Sequence, residues 1–253
     1  MKKSLTFLFI SFSSSISANP ANCLAAAYPN IRTVDSQTIQ FANGQQMNIG
    51  ARSNLPFTQV LQNATLADQL SQPYPLDFRI PTQYQDAGRI RNDRFFQQLY
   101  GATLAEVNRN MVTVNWKPSQ TAVRFNALNG ASEQLRKVGE EIAQFPELIH
   151  YVNKPLGTLN FRKIAGTNRL SAHSFGIAID FQLPKSLHKY WRWDGCKSED
   201  QPCPFPKQLM EDEKLKRIVM IFEKHGFIWG GKWASYDSVH FEYRPELLVA
   251  ACR

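Results

Sequence analysis

Residues Gly176 to Leu183 alternate with period two, so that Ile177, Ile179 and Phe181 fall on one face of an extended strand and Gly176, Ala178 and Asp180 on the other. The first face is hydrocarbon that needs a core. The second sets one carboxylate among small residues, over open space, where a group facing a cleft belongs. Ser238 to Tyr243 repeats the alternation, with His240 and Glu242 on one face and Val239, Phe241 and Tyr243 on the other. Two strands of this kind can turn an imidazole and a carboxylate toward the same cleft.

The elements around them are also legible. Ala131 to Phe145 places Leu135, Val138, Ile142 and Phe145 along one helical face, and Glu211 to His225 is amphipathic and stops at Gly226. Thr38 to Ile49 alternates around Asn43-Gly44, which predicts a hairpin with a two-residue turn. Val112 to Trp116 and Thr158 to Ile164 read as strands, and short helices are expected within Phe57 to Leu70 and Asp93 to Tyr100. Strands and helices mix without βαβ regularity. The expected fold class is therefore α+β, a small and mostly antiparallel sheet with flanking helices, preceded by an N-terminal extension that carries the hairpin.

Met1-Lys2-Lys3, the apolar run Leu5 to Phe12 and the small residues up to Ala18 have the three-part pattern of a secretory signal peptide over residues 1–18. An uncleaved anchor is the other reading, although the apolar run falls well short of the ~20 residues of a spanning helix. No later stretch has that length, so no stable membrane span is expected after cleavage. Export gives the four cysteines a meaning: Cys23, Cys196, Cys203 and Cys252 read as disulfide partners rather than reactive thiols. Of three possible connectivities, the favoured one links Cys196 to Cys203 and Cys23 to Cys252. Loss of Lys2 and Lys3 lowers the formal charge from +8 to +6, which leaves a basic protein drawn to anionic surfaces. Its Lys and Arg are spread along the chain, and export to the periplasm or beyond argues against nucleic acid as the partner.

The segments that carry chemistry are Ser171-Ala-His-Ser-Phe-Gly-Ile-Ala-Ile-Asp180 and, some sixty residues later, Trp229-Gly-Gly-Lys-Trp-Ala-Ser-Tyr-Asp-Ser-Val-His-Phe-Glu242. A catalytic zinc site takes three protein ligands from His, Asp, Glu or Cys and leaves one position open. His173, Asp180 and His240 supply such a set, and Asp237 stands three residues before His240, in reach to move protons without being needed as a ligand. His150, His188 and His225 have no acid at matching spacing and read as structural.

Ser-x-His-x6-Asp followed by Asp-x-x-His-Phe-Glu, with Trp-Gly-Gly-x-Trp between, resembles the D-alanyl-D-alanine peptidase superfamily. That group includes vancomycin-resistance D,D-peptidases and L-alanyl-D-glutamate endopeptidases, with the hedgehog domain as a structural relative. The resemblance covers roughly Ala131 to Pro245. It implies zinc held by His173, Asp180 and His240, a catalytic acid–base at Asp237, and peptidoglycan stem peptides as substrate. It also implies a substrate-binding arginine, best matched by Arg162, with Arg169 a rival. Ser171 and Tyr236 are further candidates for substrate contact, and Glu242 for a partner of a ligand histidine. Dipeptidases of the group carry Glu where this chain has Asp237, and the endopeptidase branch often carries Asp. The chain thus divides into residues 1–18, a signal peptide; 19–110, an extension or accessory lobe; and 111–253, a zinc peptidase domain. The competing reading is a wall-binding module that keeps zinc without catalysis. The oligomeric state is left open.

Overall fold

The computed structural model describes residues 19–164 and 167–252 of the chain, and the expected signal peptide lies outside them. Three antiparallel sheets organise the strands. The first joins β1 (Ile31–Thr33), β2 (Thr38–Phe41) and β3 (Gln46–Asn48); the second is the hairpin of β4 (Met111–Trp116) and β5 (Thr121–Asn126). The third holds β6 (Pro155–Gly157), β7 (Ala178–Phe181), β8 (Phe227–Trp229) and β9 (His240–Tyr243) in the order β6-β7-β9-β8. The helices are α1 (Pro20–Ala27), α2 (Phe57–Gln62), α3 (Leu66–Leu70), α4 (Asp93–Tyr100), α5 (Leu104–Arg109), α6 (Ala131–Ile142), α7 (Pro146–Val152), α8 (Gln208–Glu211) and α9 (Glu213–Lys224). This is the expected α+β class. Among the described residues no helix is long and apolar enough to cross a membrane.

Helix α9 shows how the sequence builds the core. Asp212 caps it by accepting from the Leu215 backbone N–H at 2.8 Å, and Leu215, Ile218, Val219 and Phe222 recur at the spacing of one buried face. That face lies on the apolar side of the third sheet: Phe222 stacks on Phe241 of β9 with ring centroids 4.0 Å apart and meets Phe181 of β7 edge-on at 5.9 Å. Helix α6 buries Leu135, Val138 and Ile142, as its periodicity predicts, but ends at Ile142; Phe145 caps α7 instead. Burial of Ile177, Ile179 and Phe181 leaves Asp180 facing the other way, half-buried.

Two local expectations need correction. The hairpin between β2 and β3 turns through three residues rather than two: Phe41 N–H donates to Gln45 O, Gly44 N–H donates to Phe41 O, and Gly44 takes the left-handed conformation at φ 82°. This is a type I turn closed by a glycine bulge, which Asn-Gly serves as well as the two-residue loop. Thr158 to Ile164 is not a sheet strand; β6 ends at Gly157. Its polar groups are claimed by the neighbouring turn instead: Asn160 N–H donates to His173 O, Arg162 N–H to the Ser174 hydroxyl, and Ile164 N–H to Arg169 O. A single bridge, Lys163 with Leu170, remains of the expected strand.

Residues from both parts of the chain share one buried cluster, in which Tyr28, Phe95 and Phe96 of the N-terminal part join Phe175, Phe181 and Phe222. The Phe96 and Phe175 rings lie 5.7 Å apart, so α4 braces the turn that carries His173. Both favoured disulfides are present, Cys23–Cys252 between α1 and the C-terminus and Cys196–Cys203 across a short loop. Because the first closes a loop spanning 229 positions, the double variant Cys23→Ser/Cys252→Ser is expected to lose about 2–4 kcal/mol of stability, read from the unfolding free energy extrapolated to water, with a steeper denaturant slope because the unfolded chain is no longer cross-linked. Equal extrapolated free energies in the variant and the parent would show that the clamp contributes nothing.

Candidate metal centre

The site is assembled from one tight turn and one strand pair. Ser171 caps a 3-10 turn, Ala172–Phe175, by accepting from His173 N–H at 3.3 Å, and Gly176 ends it at φ 65°. A side chain at Gly176 would collide with the Met111 sulfur, so only glycine allows the turn to lie against β4 while carrying His173 inward. β7 and β9 pair antiparallel with Asp180 opposite His240, which puts both on the sheet face away from α9. Trp229-Gly-Gly forms the end of β8 and the turn after it. A Cβ at Gly230 would meet the carbonyl of Asp237, whose N–H donates to Gly230 O at 3.0 Å.

His173 Nε2, Asp180 Oδ1 and His240 Nδ1 converge. The separations are 3.2 Å between the two nitrogens, 3.2 Å from His173 to Asp180 and 3.0 Å from His240 to Asp180. Donors 2.0–2.1 Å from one tetrahedral ion stand about 3.3 Å apart, so the triangle has nearly the edge lengths such an ion requires. The hydrogen bonds on the far sides agree. His173 Nδ1–H donates to the Thr158 carbonyl at 2.9 Å, and His240 Nε2–H donates to the Glu242 carboxylate at 3.1 Å, so each ring turns a lone pair toward the centre. Two lone pairs at 3.2 Å repel unless a cation lies between them. The group can hold a metal ion.

The surrounding charges favour a cation at that point. Burial opposes charge on His240, yet the hydrogen bonds to Asp180 and Glu242 outweigh it and raise the imidazole to about 10, so that without an ion a proton on Nδ1 takes the place that the lone pair offers to a metal. Burial likewise opposes ionisation of Asp180 and Glu242; the histidines pull Asp180 well below the usual carboxylate range, and His240 with Arg244 brings Glu242 to about 2. Asp237 differs. Burial dominates and lifts it to about 6, and its Oδ1 is buried without a hydrogen-bond partner.

A cavity of about 180 Å³ opens above the triangle. His173, Asp180, His240, Asp237, Ser171 and Arg162 all line it, with Arg162 exposed at its edge. Tyr236 is not on the lining; it is buried, donates to Asp194 at 2.7 Å and packs on Phe205. Trp229 is core, whereas Trp233 lines the cavity beside His240. His150, His188 and His225 lie elsewhere, with His225 paired to Glu141.

The arginines Arg89 and Arg91 were not legible as site residues. They come from the stretch before α4, and with Arg169 they form a cationic wall. Burial, with Arg91 and Arg89 adding to it, lowers Arg169 to about 9, and its Nε lacks a partner. Arg89 also pairs at 2.7 Å with Glu199 from the Cys196–Cys203 loop, which closes one side of the cavity. No local pattern announces these residues, because only the tertiary fold brings them to the ligand strands.

With this geometry in place, the comparisons with known proteins become specific. Residues 165–243 match the D-alanyl-D-alanine carboxypeptidase family. The matched stretch is about a third of the chain and contains His173, Asp180, Asp237, His240 and Glu242. It supports a peptidase of the D-alanyl-D-alanine carboxypeptidase type, a family whose members depend on a metal. No curated protein and no solved structure matches the chain.

The turn that carries Asp237 depends on a residue outside the carboxypeptidase match. Asp86, 1% exposed, accepts from Ser235 N–H at 2.9 Å and its hydroxyl at 3.3 Å, and pairs with Arg89 at 3.3 Å. Asp86→Ala is expected to cost at least about 1.5–3 kcal/mol, since it strips charge-assisted bonds and leaves buried donors unpaired. Thermal or denaturant unfolding equal to the parent's would contradict that placement.

Proposed function

We propose that this chain is an exported zinc peptidase that hydrolyses peptidoglycan stem peptides, with His173, Asp180 and His240 as metal ligands and Asp237 as the acid–base residue. The observation that carries the reading is the convergence of three ligand atoms beside a buried, unpartnered carboxyl oxygen of Asp237. Two imidazoles and one carboxylate at these separations suit zinc. When bound, zinc supplies Lewis acidity, which polarises a carbonyl and makes water acidic near neutral pH.

The chain's own residues account for the remaining steps. Asp237, ionised above about pH 6, accepts the proton of the attacking water and, now protonated and neutral, donates it to the leaving nitrogen. Arg162 stands at the cavity edge with a guanidinium that donates to the Lys163 carbonyl and pairs with no carboxylate among the described residues, and its planar fork suits a substrate carboxylate. The buried arginine wall behind it favours an anionic substrate in the same way. Trp233 and the Arg89–Glu199 pair limit the water that reaches the ligands.

Cleavage of the terminal D-alanine is favoured by the description of the matched family. Cleavage of the L-alanyl-D-glutamate bond is the second reading, favoured by Asp rather than Glu at position 237. Both disulfides suit an oxidising compartment such as the periplasm or the exterior. A module that holds zinc without catalysis has no use for a desolvated carboxyl aimed beside the ligands, which weighs against the wall-binding alternative.

The parent protein should bind about one zinc per chain, and His173→Ala or His240→Ala should lose most of it by metal analysis; full occupancy in both variants would sink the ligand assignment. Asp237→Ala should keep zinc while turnover falls roughly 10²- to 10⁴-fold on purified peptidoglycan, and undiminished cleavage would remove it from the mechanism. Product masses separate the two bonds: release of free D-alanine marks the carboxypeptidase, release of stem peptides lacking L-alanine the endopeptidase. A chelator should abolish either. Because protonated Asp237 cannot accept a proton, kcat/KM should decline as pH falls through about 6. A flat profile from neutral pH to pH 5 would contradict this role.

A further inference from the structure

We propose that Arg244 is a positioning residue for the metal centre: it holds Glu242 in the orientation that aims the His240 ring, and it is held in turn by the N-terminal part of the chain through Gly88, Gln69 and Tyr28. The inference rests on the zinc reading above and goes beyond it, since Arg244 and its N-terminal partners lie outside the matched stretch.

The two oxygens of Glu242 are used in different directions. Oε2 accepts from His240 Nε2–H at 3.1 Å, and Oε1 accepts from Arg244 Nη1 at 2.8 Å. A planar carboxylate gripped at one oxygen cannot rotate the other away. The competitor is already in place, because Arg91 Nη1 lies 3.8 Å from Oε2, on the oxygen that His240 needs. Without Arg244, Glu242 is free to turn toward Arg91, and the imidazole loses the acceptor that directs Nδ1 to the centre.

Arg244 cannot move either. Its Nη1 also donates to the Gly88 carbonyl at 2.7 Å, its Nε donates to Glu246 at 2.6 Å, and its guanidinium lies over the Phe96 ring at 4.9 Å. Glu246 accepts in addition from Gln69 Nε2 at 3.0 Å and from the Tyr28 hydroxyl at 2.5 Å. Arg244, Glu242 and Glu246 are at most 2% exposed. Buried ion networks of this kind are often no more stable than apolar residues of the same volume, and Arg244 Nη2 is left without a partner. Packing alone gives no reason to keep such a network. Holding a ligand histidine does, as carboxylate partners of ligand histidines orient the ring and tune the metal.

The test compares the full chain with Arg244→Met and Arg244→Lys, reading the zinc dissociation constant by chelator competition and the visible spectrum of the cobalt-substituted protein, with circular dichroism as the check on folding. Arg244→Met should weaken zinc binding roughly 10- to 100-fold and change the cobalt spectrum, and Arg244→Lys should recover part of both. Tyr28→Phe and Glu246→Gln, which reach the centre only through Arg244, should weaken zinc in the same direction by less; they carry the test if Arg244→Met does not fold. Folded variants with the parent's zinc affinity and cobalt spectrum would overturn the proposal. A parent that takes up no zinc would overturn the metal reading itself, and this inference with it.

Discussion

The antiparallel pairing of Asp180 with His240 is the contact on which the rest of the site depends. The register that sets these two side by side also sets Ile179 opposite Phe241 on the reverse face, where Phe222 of α9 packs. A slip of one residue would turn both polar side chains into the core and both apolar ones into the cleft. Burial of the hydrophobic face therefore chooses the register, and the polar face inherits its geometry. The rigidity of the ligand set is a consequence of core packing.

Around this pair the protein manages an unusual density of buried charge. Asp180 and Glu242 flank two imidazoles, and Arg91 and Arg244 flank Glu242 in turn. Each removed from water alone would be costly, and each is matched by an opposite partner within hydrogen-bond distance or close to it. Asp237 and Arg169 are the exceptions: Arg169 is buried and Asp237 half-buried, both keep a buried atom without a partner, and both line the cavity. Such incompletely satisfied groups are expected where a substrate, rather than the protein, completes the hydrogen bonding.

The N-terminal part of the chain is bound into this arrangement at several points. Asp86 holds the turn before Asp237, Gly88 and Gln69 contact the Arg244 network, Arg89 and Arg91 reach the cavity, and Phe96 supports the His173 turn. The Cys23–Cys252 link then fastens the first helix to the end of the chain that follows β9. Residues between Gln69 and Phe96 thus take part in shaping and supporting the cleft.

The amino-acid sequence by itself indicated the α+β class and the amphipathic helices, favoured one of three cysteine pairings, and singled out His173, Asp180 and His240, whose ligand atoms the fold brings together. Local periodicity assigns each residue a face, and Ser-x-His-x6-Asp, weak alone, points to a metal site once paired with the downstream Asp-x-x-His. It misjudged Thr158 to Ile164, because a strand's hydrogen-bond partners lie elsewhere in the chain and the Ser171–Gly176 turn claimed them. It left Tyr236 as a cleft candidate, since nothing local reveals that its hydroxyl would find Asp194. Only the tertiary structure decided that Arg89, Arg91, Asp86 and Arg244 belong to the site. Asp86 meets Ser235, Arg91 meets Glu242 and Arg244 meets the Gly88 carbonyl across roughly 150 residues of chain, and no sequence period records such long-range contacts.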